Sequence, residues 1–229
     1  MEDVTERRIL ERDKDELLRQ KDVLLEELEH RIANSLQIIA SIILLKAKAV
    51  QSEETRLHLE DAHKRVMSIA AVQRQLHASG ATGPIEIAPY LTGLCEVLAT
   101  SMIGGIRPIS LQVVGEGGSG TSRQAESLGL IVTELIMNAL KHAFPDEKTK
   151  GRITVAYDTA GTNWKLSVTD NGVGKPDGVF AQGKAGLGTG IIKALAKQLG
   201  AQVETLAGPE DTTVSITHAT FSAKEIRAA

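Results

Sequence analysis

One cysteine, Cys95, stands in 229 residues. No internal disulfide can form, and no zinc motif has its ligands in the usual spacing. A reducing compartment fits such a chain. Aromatic residues make up only 3%, too few for a surface that stacks bases or for a tryptophan-rich interface. Charge of one sign is also lacking: the formal net charge is −3, from 26 basic and 29 acidic residues. No general basic field exists to hold nucleic acid or an anionic membrane, so any polyanion has to be bound locally. The N-terminal stretch MEDVTERRILERDKDELLRQKD is densely charged, and no run approaches the roughly 18 apolar residues of a membrane span. The expectation is a soluble, cytoplasmic chain with no nucleic-acid partner and no membrane span. What is present is ordinary for a globular protein, 42% hydrophobic and 24% charged, with length enough for two domains.

The first texture is helical. From about Asp15 to Val50, Leu17, Leu18, Leu24, Leu25, Leu28, Ile32, Leu36, Ile39 and Ile43 recur at threes and fours, with no Gly or Pro between, which predicts one long helix. Ser52, followed by Glu53 and Glu54, is a candidate N-cap for a second helix. That helix runs through Leu59, Ala62, Val66, Ile69 and Leu76 to the breaker ASGATGP. Such a hairpin carries more apolar surface than it can cover by itself. A partner hairpin in a four-helix bundle is the economical cover, hence an expected homodimer. Beyond Pro84 helices alternate with β-rich runs and glycine loops, so residues 1–80 and 84–222 are read as two domains. In the second, TSRQAESLGLIVTELIMNALKHAF is a helix capped by Thr121 or Ser122, GRITVAYDT and NWKLSVTD form a hairpin, and AQVETLAG and TTVSITHATF form another. The fold class expected is α+β, with helices covering one face of a mixed or antiparallel sheet.

Four stretches carry chemistry. In ELEHRIANSLQII, His30 lies about 200° around the helix from both Leu28 and Ile32, which predicts that it faces solvent, with Asn34 on the same face. Alone, this would read as a solvated helix face; but an imidazole with a free nitrogen is also a competent nucleophile. In ELIMNALKHAF, Glu134 and Asn138 are four apart and Lys141 and His142 follow one turn on. A carboxylate, a carboxamide oxygen for a hard cation and two donors for phosphate make a workable kit for nucleotide chemistry, and equally an amphipathic helix with a polar outer face. In DNGVG, Asp170 ends a strand, and Gly172 and Gly174 permit a tight turn and close approach. In GKAGLGTG, Gly186, Gly188 and Gly190 directly precede a helix, whose N-terminal amides can seat phosphate. Lys184 and Leu187 belong to this same run, which is no Walker motif because no G-K-[ST] closes it.

Taken together and in order, these stretches resemble the ATP-binding fold shared by sensor histidine kinases, Hsp90, type II topoisomerases and MutL. ELIMNALKHAF is similar to its N box, DNGVG to its G1 box and GLGTG to its G2 box. HRIAN is similar to the H-R-x-x-N signature of a subfamily of bacterial histidine kinases. The resemblance spans residues ~20–220 by motif order. It implies ATP-dependent phosphorylation of His30, with Arg31 and Asn34 supporting that motif, and transfer to an aspartate of a response-regulator receiver domain. It further implies Asn138 as a Mg²⁺ ligand, Glu134 as the residue that positions or activates the acceptor, and Lys141 and His142 as phosphate-side donors. Asp170 would accept the adenine amino group, with Gly172 and Gly174 shaping that pocket. Lys184, Gly186, Leu187, Gly188 and Gly190 would close on the phosphates. An input from an upstream sensor domain or a separate sensor chain is implied as well. There are departures. WKL at Trp164–Leu166 lacks the Glu of the related W-x-E branch, and Trp164 is read as packing. Arg31, not an acid, follows His30, so Glu29, Glu27 or no base at all stays open. Residues 175–185 are a short lid with no aromatic-rich box. A serine kinase of the anti-sigma type, or a partner-switching regulator, shares the nucleotide-binding fold and remains the alternative.

Overall fold

The computed structural model describes residues 2–78, 83–103, 108–144, 150–174 and 187–219. It divides into two compact units, Met1–His77 and Ala78–Ala229.

The first unit is a helical hairpin. Helix α1 spans Glu2–Ala49, so the charged N-terminal stretch is helical as well. Helix α2 spans Glu53–Ala78. Ser52 caps α2: its Oγ accepts the Thr55 N–H at 3.3 Å and its carbonyl accepts the Arg56 N–H at 2.9 Å, while Glu53 and Glu54 complement the positive helix end. Between the helices the buried positions of α1 are Ala33, Ala40 and Ala47, a strict seven-residue repeat that lets α2 approach closely. His63 reaches across, its Nδ1 donating to the Ala40 carbonyl at 2.8 Å. The seam therefore differs from the one drawn through Leu28 and Ile32, which are 55% and 51% exposed. Those two, with Ile39 and Ile42, lie roughly 100° or more around α1 from the alanines and form a second apolar face outside the hairpin. Because α1 is apolar on two sides, the stretch Leu10–Ala49 contains an 18-residue window of mean hydropathy 1.4, apolar enough by length and composition to cross a membrane. The expectation that no such run exists is corrected to that extent.

The second unit is an α/β sandwich. A five-stranded sheet has the order β2-β4-β5-β7-β6, with β2 (Ile109–Val114), β4 (Gly151–Ala160), β5 (Asn163–Asp170), β6 (Gln202–Ala207) and β7 (Thr212–His218). Only β2 and β4 pair in parallel; the remaining pairs are antiparallel. β1 (Ile85–Glu86) and β3 (Ser119–Gly120) make a separate two-stranded ribbon. Alternation along the strands buries Ile153, Val155 and Tyr157 of β4, Leu166 and Val168 of β5 and Ile216 of β7. Helices α3 (Ile87–Leu98), α4 (Ser122–His142) and α5 (Leu187–Gln198) supply the opposing layer, with Leu91, Leu94, Leu98, Leu128, Ile131, Ile136 and Ile192 buried. α3 passes into a single wide turn at Ala99–Ile103. α4 begins in a full capping box: Thr121 Oγ1 accepts the Gln124 N–H at 3.3 Å, and Gln124 Oε1 accepts the Thr121 N–H at 2.9 Å. Where α3 crosses α4, Gly129 is required, since a Cβ there would fall 2.1 Å from the Tyr90 hydroxyl. The sheet is thus mixed, with its helices gathered on one face.

Candidate functional site

The polar row on α4 runs from the interior to solvent. Glu134 is only 5% exposed, Asn138 is half-buried, and Lys141 and His142 are exposed in the last turn. This is not a uniformly solvated face, because the helix sinks its middle turns between α5 and β5, against both of which it packs. Lys141 and His142 lie where the helix dipole favours cations and bound anions must bring their own compensation.

Asp170 is the last residue of β5 and is 7% exposed. It lies on the sheet face that carries Leu166 and Val168, beneath the helices. The glycine loop after it is fastened at three points. Gly172 N–H donates to Asp170 Oδ1 at 3.1 Å, Val173 N–H donates to the Ala143 carbonyl at 2.9 Å, and Asn171 exchanges bonds with Arg152 of β4 at 2.5 and 3.2 Å. The Asp170 carboxylate is thus tied to its own loop, which is anchored to the C-terminal end of α4. The two glycines have separate reasons. A Cβ at Gly172 would meet the Ala143 carbonyl oxygen at 2.3 Å, and Gly174, at φ +60°, would meet the Gly208 carbonyl at 2.2 Å. Both are required by neighbouring backbone: α4 on one side, the β6–β7 turn on the other.

α5 starts at Leu187, so Gly188 and Gly190 occupy its first turn and do not precede it as the sequence implied. A Cβ at Gly190 would meet nothing within 4 Å, whereas Gly188 is buried. Lys184, Gly186 and the expected lid at 175–185 lie outside the described residues, as does the side chain of Leu187. Within this unit α4 carries Glu134 and Asn138 and packs against both α5 and β5, the strand that ends in Asp170. Sequence reading passed over Thr212, which pairs with Asp170 across the β5–β7 ladder and so shares its face of the sheet. No local signal would have found it, since α5 and β6 separate the two strands in the chain.

On the hairpin, His30, Arg31 and Asn34 are all exposed. Arg31 turns back along α1 and donates to Glu27 Oε1 at 2.6 and 3.1 Å, so Glu27, one of the bases left open, is engaged by the arginine. The side chain of Glu29 lies outside those described. His30 sits on the flank of the alanine seam, where its ring meets that of His77 from α2 edge to face, with centroids 5.6 Å apart and planes at 65°. The sequence reading did not single out His77. In the sheet, Trp164 stacks on His218 at 5.7 Å with planes 9° apart, in keeping with packing.

The comparisons bear on both units. Residues 27–102 match the family described as histidine kinase, and residues 123–222 match the family described as histidine kinase-, DNA gyrase B-, and HSP90-like ATPase. The chain is 29% identical over 182 residues to the sensor histidine kinase PdtaS of Mycobacterium tuberculosis, which covers 80% of this chain and 36% of that protein. It is 26% identical over 200 residues to blue-light-activated histidine kinase 2 of Erythrobacter litoralis, covering 85% of this chain and 56% of that one. This chain therefore spans about a third to just over half of the length of these relatives. The solved histidine kinase domain of the Erythrobacter litoralis EL346 blue-light-activated kinase shares the fold, with a TM-score of 0.58 and 23% identity across 80% of this chain and 94% of that one. With one histidine kinase region over the hairpin and a second, ATPase-type region over the sandwich, the chain belongs to the histidine kinases.

Proposed function

We propose that this chain uses Mg²⁺–ATP to phosphorylate His30 and then passes the phosphoryl group to an aspartate of a response-regulator receiver domain. The observation that carries the reading is the exposed imidazole of His30 on the hairpin that matches the histidine kinase family. That hairpin also disfavours the anti-sigma alternative, which needs no phosphoacceptor helix. ATP supplies the transferable group. Asp170, buried at the end of β5, receives the adenine amino group with Thr212 beside it. The first-turn amides of α5 meet the phosphates where Gly188 and Gly190 carry no side chain. Asn138 offers a carboxamide oxygen to Mg²⁺. Such an ion is held chiefly through the nucleotide's phosphates and water. Glu134 orients or activates the acceptor, and Lys141 and His142 steer phosphate. Such transfer depends on positioning and charge neutralisation more than on covalent participation by the protein.

The chain acts as a homodimer in the cytoplasm, the outer apolar face of α1 lying against a second copy, and takes its signal from an upstream sensor domain or a separate sensor chain. Incubation with γ-labelled ATP should give an acid-labile, alkali-stable phosphoprotein, and His30→Gln should lose the label while still binding nucleotide. Label that persists on His30→Gln, or that survives acid, would refute the reading.

A further inference from the structure

The ring beside His30 is that of His77, and the geometry points to a role for it. We propose that His77 is a positioning residue for the phosphoacceptor, its imidazole holding the His30 ring in the orientation that presents a lone pair outward. The proposal rests on His30 being the acceptor. Three observations carry it.

The first is the contact itself, edge to face with centroids 5.6 Å apart, within the range at which aromatic rings restrain each other. The second is that the pairing follows from how the hairpin is registered. The bond from His63 to the Ala40 carbonyl, at 2.8 Å, ties the two helices together. From it, ten residues back along α1 lead to His30 and fourteen forward along α2 lead to His77, a mismatch of about one helical turn across which the two rings still meet. The third is that the charged neighbours Arg31 and Glu27 on α1 are occupied with each other, at 2.6 Å, and Asn34 is exposed a turn away. His30 is exposed while His77 is half-buried near the end of α2, so His77 is the better fixed of the two rings and can serve as the support.

The chemistry gives the support a purpose. In the transfer, the lone pair of one His30 nitrogen forms a P–N bond as the bond from the γ-phosphorus to the bridging oxygen breaks, and ADP leaves with that electron pair. The proton on the other His30 nitrogen stays on the ring. Only one ring nitrogen can be aimed at the incoming phosphorus, and an imidazole free to rotate about χ2 spends part of its time misdirected. Misplacement of a reacting atom by about 1 Å can cost on the order of 10²-fold in rate.

The test is made on the full chain with ATP. His77→Ala should slow phosphorylation of His30 by about 10- to 100-fold with the KM for ATP unchanged. His77→Phe, which keeps a ring and removes its nitrogens, should recover most of the rate. The ¹⁵N–¹H spectrum of the His30 imidazole, independent of turnover, should broaden or change tautomer balance in His77→Ala and return towards the parent in His77→Phe. Circular dichroism on both variants checks that the hairpin is intact. A His77→Ala protein that labels at the parent rate with an unchanged His30 spectrum overturns the proposal, as does a His77→Phe protein that is as slow as His77→Ala. Failure of the acceptor assignment looks different: label then persists on His30→Gln whatever stands at position 77.

Discussion

Gly172→Ala probes the joint on which the nucleotide site depends. The added methyl would fall 2.3 Å from the Ala143 carbonyl oxygen, 2.4 Å from its Cβ and 2.7 Å from its carbonyl carbon. Two of these three atoms are backbone at the end of α4, which cannot swing aside as a side chain can, so the loop has to lift. Lifting breaks the Val173 N–H bond to Ala143 at 2.9 Å and the Gly172 N–H bond to the Asp170 carboxylate at 3.1 Å. A neutral hydrogen bond contributes about 1 kcal/mol and one to a charged group about 1.5–3 kcal/mol, so the joint loses roughly 2–4 kcal/mol. If bound nucleotide has to restore the joint, its Kd rises at least about tenfold, since ~1.4 kcal/mol is a factor of ten. Titration with a fluorescent ATP analogue and thermal unfolding by circular dichroism measure both effects. Gly161→Ala is the control: Gly161 has φ +63° and open space around a Cβ, in the β4–β5 turn at the far end of the hairpin from Asp170. It should lose about 1–2 kcal/mol of stability with nucleotide affinity unchanged. A Gly172→Ala protein that binds within twofold of the parent and melts at the parent temperature would refute the reasoning.

Thr121→Ala removes one half of the capping box of α4 and should cost about 1 kcal/mol in chemical denaturation; an unchanged midpoint would show that the cap contributes nothing. Cys95 is buried, and burial, aided by the charge of Glu96, pushes its thiol from an ordinary 9.0 up to about 12. Because the folded state holds the proton more tightly, this stabilisation is complete below pH 9 and is lost as pH rises towards 12, at up to about 1.4 kcal/mol per pH unit. Cys95→Ala should flatten that alkaline limb, and the native thiol should react with a disulfide reagent at pH 8 far more slowly than in denaturant. Tyr90, its hydroxyl likewise raised by burial and by the charge of Glu126, should steepen the loss above pH 10 in both proteins. If the proposed dimer forms through the outer face of α1, where Ile39 and Ile42 are 47% and 53% exposed within one chain, Ile39→Glu with Ile42→Glu should shift it to monomer in light scattering. A dimer unchanged in the double variant would place the interface elsewhere.

The elements and their order were legible because each has a local cause. Ser52 and Thr121 announce helix starts by competing for the first amides, and AGTN is a turn because Gly161 needs its positive φ. The ingredients of the candidate site were legible as well, since a histidine on a helix face and a strand-terminal aspartate before two glycines are statements about single segments. Which face of α1 meets α2 was not legible: the helix is apolar on two sides, and periodicity cannot choose between an alanine seam and an isoleucine one. The start of α5 was missed by a turn for a related reason. Glycines read as loop by propensity, yet Gly188 and Gly190 are helical because the following residues pack against α4. Residues brought together by strand register or helix crossing, Thr212 beside Asp170 and His77 beside His30, leave no local trace. By itself, then, the sequence determined most of the secondary structure, the α+β class and the inventory of reactive groups, all of which follow from neighbours in the chain. The tertiary structure alone decided which glycine meets which carbonyl, which carboxylate is buried and which imidazole supports another, because those depend on distances between residues that the chain keeps far apart.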